Sequence, residues 1–127
     1  MAISLYDISV RSFLQTLDAV SGFLDKGLAH FQASGVDPES IVEARLFPDM
    51  RPFRFQIQLV AHHSFGAVEA VRSGVFHAPR DLPAHDYAGL QTLIADARAS
   101  LRGLTPAEID AREGADVVFK VRDFERV

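Results

Sequence analysis

With 127 residues the chain has the size of one domain, large enough to bury a core without metal or disulfide staples. It has no cysteine, which excludes a disulfide scaffold, a thiolate nucleophile and every cysteine-containing metal site, so a transition metal would have to be held by histidine and carboxylate. Thirteen Lys plus Arg against seventeen Asp plus Glu give a net charge of −4, which disfavours nucleic acid and anionic lipid as partners, and the arginines are scattered without forming a basic stripe.

The first segment places Tyr6, Val10, Phe13, Leu14, Leu17, Leu24, Leu28 and Phe31 at steps of three, four and seven, which keeps them on one face of a long amphipathic helix. Gly22 and Gly27 weaken that helix by up to ~1 kcal/mol each relative to Ala, and Gly35 is placed to end it in a left-handed residue. Asp37 and Pro38 supply an N-cap and a pre-set first residue for a short helix through about Leu46. Pro48 stops it. A second long helix is predicted from Arg51 or Pro52 to Ser73, capped by Asp49 and closed before Gly74, with Phe53, Ile57, Val60, Ala67, Val68 and Val71 as its apolar stripe.

The stretch Val75 to His85 contains Pro79 and Pro83 and reads as an extended loop. Asp86 can cap a third helix carrying Tyr87, Leu90, Leu93, Ile94, Ala97 and Leu101, closed by Gly103. Thr105 to Glu108 has the form of a capping box and begins one more short helix. Val117 to Val121 is β-branched and aromatic, a strand signal, and Phe124 to Val127 can pair with it as a hairpin that must pack on the helices. The expected fold is a single all-α domain over 1–127: an up-down bundle of three long helices and two short ones, with a small C-terminal strand or hairpin. Three helices and a hairpin leave one side of such a bundle to be covered by something else.

Five histidines are the candidates for chemistry. On a wheel with Val60 at zero and about 100° per residue, the stripe of the second long helix centres near 20°, with His63 near −60° and Gln56 near −40°. Both border the expected buried face. That position suits either a histidine hydrogen-bonded at the core edge or a metal ligand oriented by a neighbouring amide, and Gln56 could meet a ligand or satisfy a nearby backbone group. His62 falls near 200° with Gln58 and Glu69, a side expected to be solvated, and His30 also points outward. His77 and His85, in the proline-containing loop, could line a pocket mouth. No His-Glu-x-x-His, Gly-x-Ser-x-Gly, phosphate-cradling glycine loop or Glu-x-x-His pair occurs. Phe55 and Phe65, near 220° and 140°, lie off the stripe and suggest a second contact surface and self-association as a homodimer.

Leu46-Phe47-Pro48-Asp49-Met50 followed by Pro52, Gln56 and Gln58 resembles a group of small bacterial proteins of unknown function in the DinB/YfiT-like superfamily. The opening Ser4 to Asp7, the Leu24-Asp25-Lys26 and His30 of the first helix, the Gly35 to Pro38 turn, the Ala44-Arg45-Leu46 run and the Tyr87 to Leu101 helix share the resemblance. It implies a four-helix bundle. It also implies a divalent metal, zinc or nickel, held by one histidine of the second long helix and two of the last, with thiol-dependent transfer or hydrolysis as the reaction class. His63 is then the ligand this chain contributes. The related proteins continue after the strand region into a further long helix that begins with aromatic residues and a histidine, whereas this sequence ends at Val127. The expectation is a bundle C-terminally incomplete relative to the group: a shortened polypeptide, a truncated gene product or a bundle completed by a neighbouring chain. Two functions follow, a metal-dependent transferase or hydrolase-like enzyme or its remnant, and a noncatalytic oligomeric bundle that binds a small apolar ligand or a partner helix. The opening residues lack a basic region followed by an apolar run, and no apolar stretch approaches the roughly 20 residues that span a bilayer, so a cytoplasmic protein without a membrane partner is expected.

Overall fold

A computed structural model describes residues 2–126. The chain enters helix at Leu5, passes through a π-helical stretch at Asp7–Arg11 and continues as α1 (Ser12–Ser34). The backbone N–H of Tyr6, which the first turn leaves without a helical partner, donates to Asp110 Oδ1 at 2.8 Å from the far end of the chain. At the other end Gly35 adopts φ 68°, and the N–H groups of Gly35 and Val36 return to the carbonyls of Gln32 and Phe31, a Schellman closure that needs the left-handed residue. The short α2 (Glu39–Val42) follows, with Asp37 Oδ1 accepting from the N–H of Glu39 at 3.0 Å.

Two long helices complete the bundle, α3 (Phe53–Ser73) and α4 (Tyr87–Arg102), before α5 (Pro106–Asp110). Helix α4 is the central member. It packs against both α1 and α3, which touch each other much less. Val10, Leu17, Leu24, Val68, Leu90, Ile94, Leu101 and Ile109 are fully buried and form one continuous core. The expected caps of the last two helices hold: Asp86 accepts from the N–H of Gly89 at 2.7 Å, and Thr105 and Glu108 form a capping box.

A three-stranded sheet stands beside α3. Strands β1 (Val75–His77), β2 (Val118–Val121) and β3 (Phe124–Arg126) lie in that order, β1 parallel to β2 and β2 antiparallel to β3. The hairpin read from the sequence is therefore present; Val127, its expected last residue, lies outside the described residues. The parallel neighbour is new. Val75 to His77 reads as loop because three residues show no periodicity and the pairing partner is some forty positions away, brought alongside by the crossover through α4 and α5. Register opposes Phe76 to Phe119, whose rings stack at 5.7 Å, and His77 to Lys120.

Three local expectations change. Helix α2 ends at Val42, and residues 43–52 form turns. Asp49 does not cap α3: Pro52 occupies the N-cap, and the first helical N–H, of Phe53, is taken by the Ala44 carbonyl at 2.9 Å. Gly103 closes α4 in a right-handed conformation.

Candidate functional site

Five residues of α3, Gln58, Ala61, His62, Phe65 and Gly66, share one flank of the helix at i, i+3, i+4, i+7 and i+8. Across from them stand Leu82, Pro83 and His85 of the connection to α4, and Leu93 of α4 itself. The space between is an open, mainly apolar groove of about 330 Å³. Small side chains make it. Ala61 and Gly66 present almost no volume to the opposite wall, and a β-carbon built on Gly66 would meet only the His62 ring.

The far wall is pinned by one amide. Gln58 is 3% exposed, and its Nε2 donates to the Pro83 carbonyl at 2.6 Å and to His85 Nδ1 at 2.8 Å. Arg54 approaches the Oε1 of the same amide at 3.5 Å and pairs with Glu43, so the amide orientation satisfies both of its ends. An amide N–H can only donate; His85 Nδ1 is therefore the acceptor, and in a neutral ring the proton sits on Nε2. The same tautomer holds at His62, which is engaged through its other nitrogen. Its Nε2 lies 2.8 Å from the His77 carbonyl, which can only accept, so a neutral His62 keeps its lone pair on Nδ1. Two imidazoles of complementary hydrogen-bonding sense thus stand on the walls of one apolar groove.

His62 and Leu82 also belong to a second, adjoining cleft of about 500 Å³, whose other walls are His77, Ala78, Pro79, Arg80, Lys120 and Arg122. Strand pairing assembles it, since His77 on β1 faces Lys120 on β2 in register, and Arg122 sits in the β2–β3 turn. Residues that look scattered along the sequence are gathered here.

The residues singled out from the sequence are placed differently. His63 is exposed, leaning on Phe76 at 5.7 Å between ring centroids, and Gln56 is exposed with its Nε2 donating to the Arg51 carbonyl at 3.3 Å. Neither borders the core. The cause is phase: Ser64, Ile57, Val68 and Ala61 are buried at about 40°, 60°, 80° and 100° on the wheel, and Gln58 and Ala70 at about 160° and −80°, a set whose mean direction lies near 80°, so the true inward direction is rotated by about 60° from the stripe centre phased on Val60. His63 and Gln56 rotate outward, while the flank from Phe65 through Gln58 to His62 comes under the 78–85 connection and β1 instead of meeting water. Phe65 packs against the core and Phe55 is half-buried beneath Arg51, whose guanidinium lies 5.3 Å from the ring centroid, so both rings have partners in their own chain. His77 and His85 do line clefts, and His30 is exposed as expected. Nothing in the sequence signals the pairing of Gln58 with His85.

Among the described residues no three His, Asp or Glu side chains gather where they could hold a metal ion. His62 stands beside His63 with ring centroids 5.4 Å apart, but its Nε2 is engaged by the His77 carbonyl. The described side chains therefore do not fit a catalytic metal, which needs about three protein ligands around an open position. No helix of the described residues is long and apolar enough to cross a membrane.

The molecule is thus a small helical bundle flanked by a three-stranded sheet, with an apolar groove and a basic cleft sharing one wall. The chain belongs to a family of domains of unknown function, DUF1993, whose family model matches residues 5–127. No curated protein matches it.

Proposed function

We propose that this protein binds a small, largely apolar molecule in the groove between α3 and the 82–85 connection, the noncatalytic of the two readings the sequence allows. The observation that carries it is the use of the Gln58 amide. A buried amide would more simply close onto its own helix; this one reaches across to hold Pro83 and His85 as a fixed wall opposite the small residues Ala61 and Gly66, keeping open a gap of ligand size. Apolar lining with a few fixed polar groups is the usual composition of a small-molecule site.

The other reading, a DinB-like enzyme acting through zinc or nickel in thiol-dependent transfer or hydrolysis, draws its support from the sequence resemblance alone. His63, the ligand it would use, has one imidazole neighbour and that neighbour is already engaged.

Gly66→Leu tests the binding reading. A β-carbon at Gly66 meets only His62, at an ordinary contact distance of 3.7 Å, and Gly66 lines the groove, so a larger side chain there takes up groove volume. Titration of the protein with 1-decanol, followed by backbone amide NMR, is expected to shift resonances of residues 58–66 and 82–93, and to leave them unmoved in Gly66→Leu. Equal shifts in both proteins, or none in either, would overturn the reading.

A further inference from the structure

We infer that the ligand is an amphiphilic anion, its apolar body in the groove and its oxyanion head in the basic cleft next door; this rests on the groove being a binding site. The two spaces share His62 and Leu82, so one molecule can occupy both without crossing a barrier of protein. Their linings differ in kind. The groove is walled mainly by carbon, whereas the cleft is walled by His77, Arg80, Arg122 and an already partnered Lys120 with His62 at the junction, and among the described residues its lining includes no carboxylate. Asp81 and Asp123, the sequence neighbours of Arg80 and Arg122, are exposed and outside that lining. Such a concentration of cations stands out in a chain whose net charge is −4.

Backbone conformation points to the same place. Asp81 and Arg122 are the two non-glycine residues of the described chain with positive φ, at 45° and 53°. A β-carbon disfavours that region, and residues held there concentrate at ligand clamps. Arg122 lines the cleft and Asp81 lies between its two lining neighbours Arg80 and Leu82. The left-handed residues turn both cleft-bearing segments, the connection and the hairpin tip. Guanidinium groups from two separate segments can approach one carboxylate or phosphate head from different directions, with charge-assisted hydrogen bonds.

The experiment compares decanoate, decyl phosphate and 1-decanol in calorimetric titrations of the whole chain. At least one of the two anions is expected to bind about tenfold more tightly than decanol or better, an advantage of about 1.4 kcal/mol, and the stronger anion identifies the head group. That advantage should shrink as salt is raised while decanol affinity does not. In the double variant Arg80→Gln/Arg122→Gln, both changes at exposed positions, decanol binding should persist and the anion advantage should fall away. Decanol binding as tightly as both anions, or an anion advantage untouched by the double variant, would overturn the head-group assignment and leave the groove reading standing. Failure of all three ligands to bind would overturn both.

Discussion

Helix α4 has two neighbours, and the seams it makes with them differ. Toward α1 the interior of the seam is filled, and it opens only at its rim, as a shallow cleft of about 450 Å³ beside Ser21, Asp25, Gln91 and Thr92. Leu17, Leu24, Leu90, Ile94 and Leu101 are fully buried in that interior, Tyr87 sends its hydroxyl across to the Leu24 carbonyl at 2.7 Å, and the rim is tied by Arg98 and Arg102 to Asp18 and by Gln91 to Asp25. Toward α3 the seam is built in part from Ala61, Ser64 and Gly66, with Gln58 and His62 at its edge, and it opens into the groove. Large branched side chains interdigitate to crystal-like density and exclude everything else, whereas small residues facing a propped wall leave a gap. One helix thus serves as a structural seam on one face and as the floor of a site on the other.

The sharpest break of that contrast is Leu90→Ala. A leucine with no exposure loses both its transfer energy and the contacts around the cavity it leaves, a destabilisation of about 2–5 kcal/mol. Leu93→Ala, one turn along and half-buried at the groove, removes the same atoms from a wall that is already open, and should cost well under half as much. Urea unfolding of the two variants checks this; equal losses would mean the α3 seam is as tightly packed as the α1 seam.

Gln58→Leu attacks the open side. It keeps the volume and leaves the Pro83 carbonyl and His85 Nδ1 without their donor, costing about 1–3 kcal/mol. Its signature is local: hydrogen exchange should quicken in residues 82–85 beyond what the global loss explains, because the amide is what joins that connection to α3. Uniform acceleration along the chain would count against the pinning role.

Gly27→Ala sharpens the filled side. A β-carbon there would sit 2.9 Å from the Tyr87 hydroxyl, closer than real contacts allow, so the ring must give up its bond to Leu24 or shift. The gain in helix propensity offsets part of that, leaving a net loss of about 1 kcal/mol. In a Tyr87→Phe background the obstructing oxygen is gone and the same change should be neutral or stabilising, a coupling that a double-mutant cycle measures directly.

These residues also mark what could be read in advance. The long helices, the capping residues Asp86 and Thr105 and the glycine closures at Gly35 and Gly74 follow from local spacing and backbone stereochemistry, which the sequence states outright. The site does not. Whether Gln58 or Gln56 faces inward depends on a rotation of about 60° in one helix, and that rotation is set by a sheet and a connection that cover one flank. The basic cleft depends on β1 pairing with β2, a contact between Val75 and Val118 that no local pattern announces. Proline in the 79–83 stretch signals a loop correctly, without telling what the loop lies against.

The smallest effect expected is one of pH, and it falls on the filled seam. Glu108 accepts from the backbone N–H and the hydroxyl of Thr105, and these bonds, the backbone one foremost, hold its carboxyl below the ordinary glutamate range. A depressed carboxyl stabilises the fold fully above the unfolded value of about 4.3 and loses that contribution as pH falls through the lower, folded value. Helix α5, which this box starts, carries the fully buried Ile109 and the Asp110 that caps the α1 end at Tyr6. Acid should therefore loosen the α1 side through α5 first. At the alkaline extreme Tyr87, whose phenol is pushed up by burial first and by Asp25 second, contributes stability that is present below about pH 10 and disappears as pH rises through its folded value. Glu108→Gln should flatten the acid limb of the stability profile without altering the alkaline one, whereas Tyr87→Phe should do the reverse. If Glu108→Gln left the acid limb unchanged, the capping box would not be what couples protonation to the filled seam.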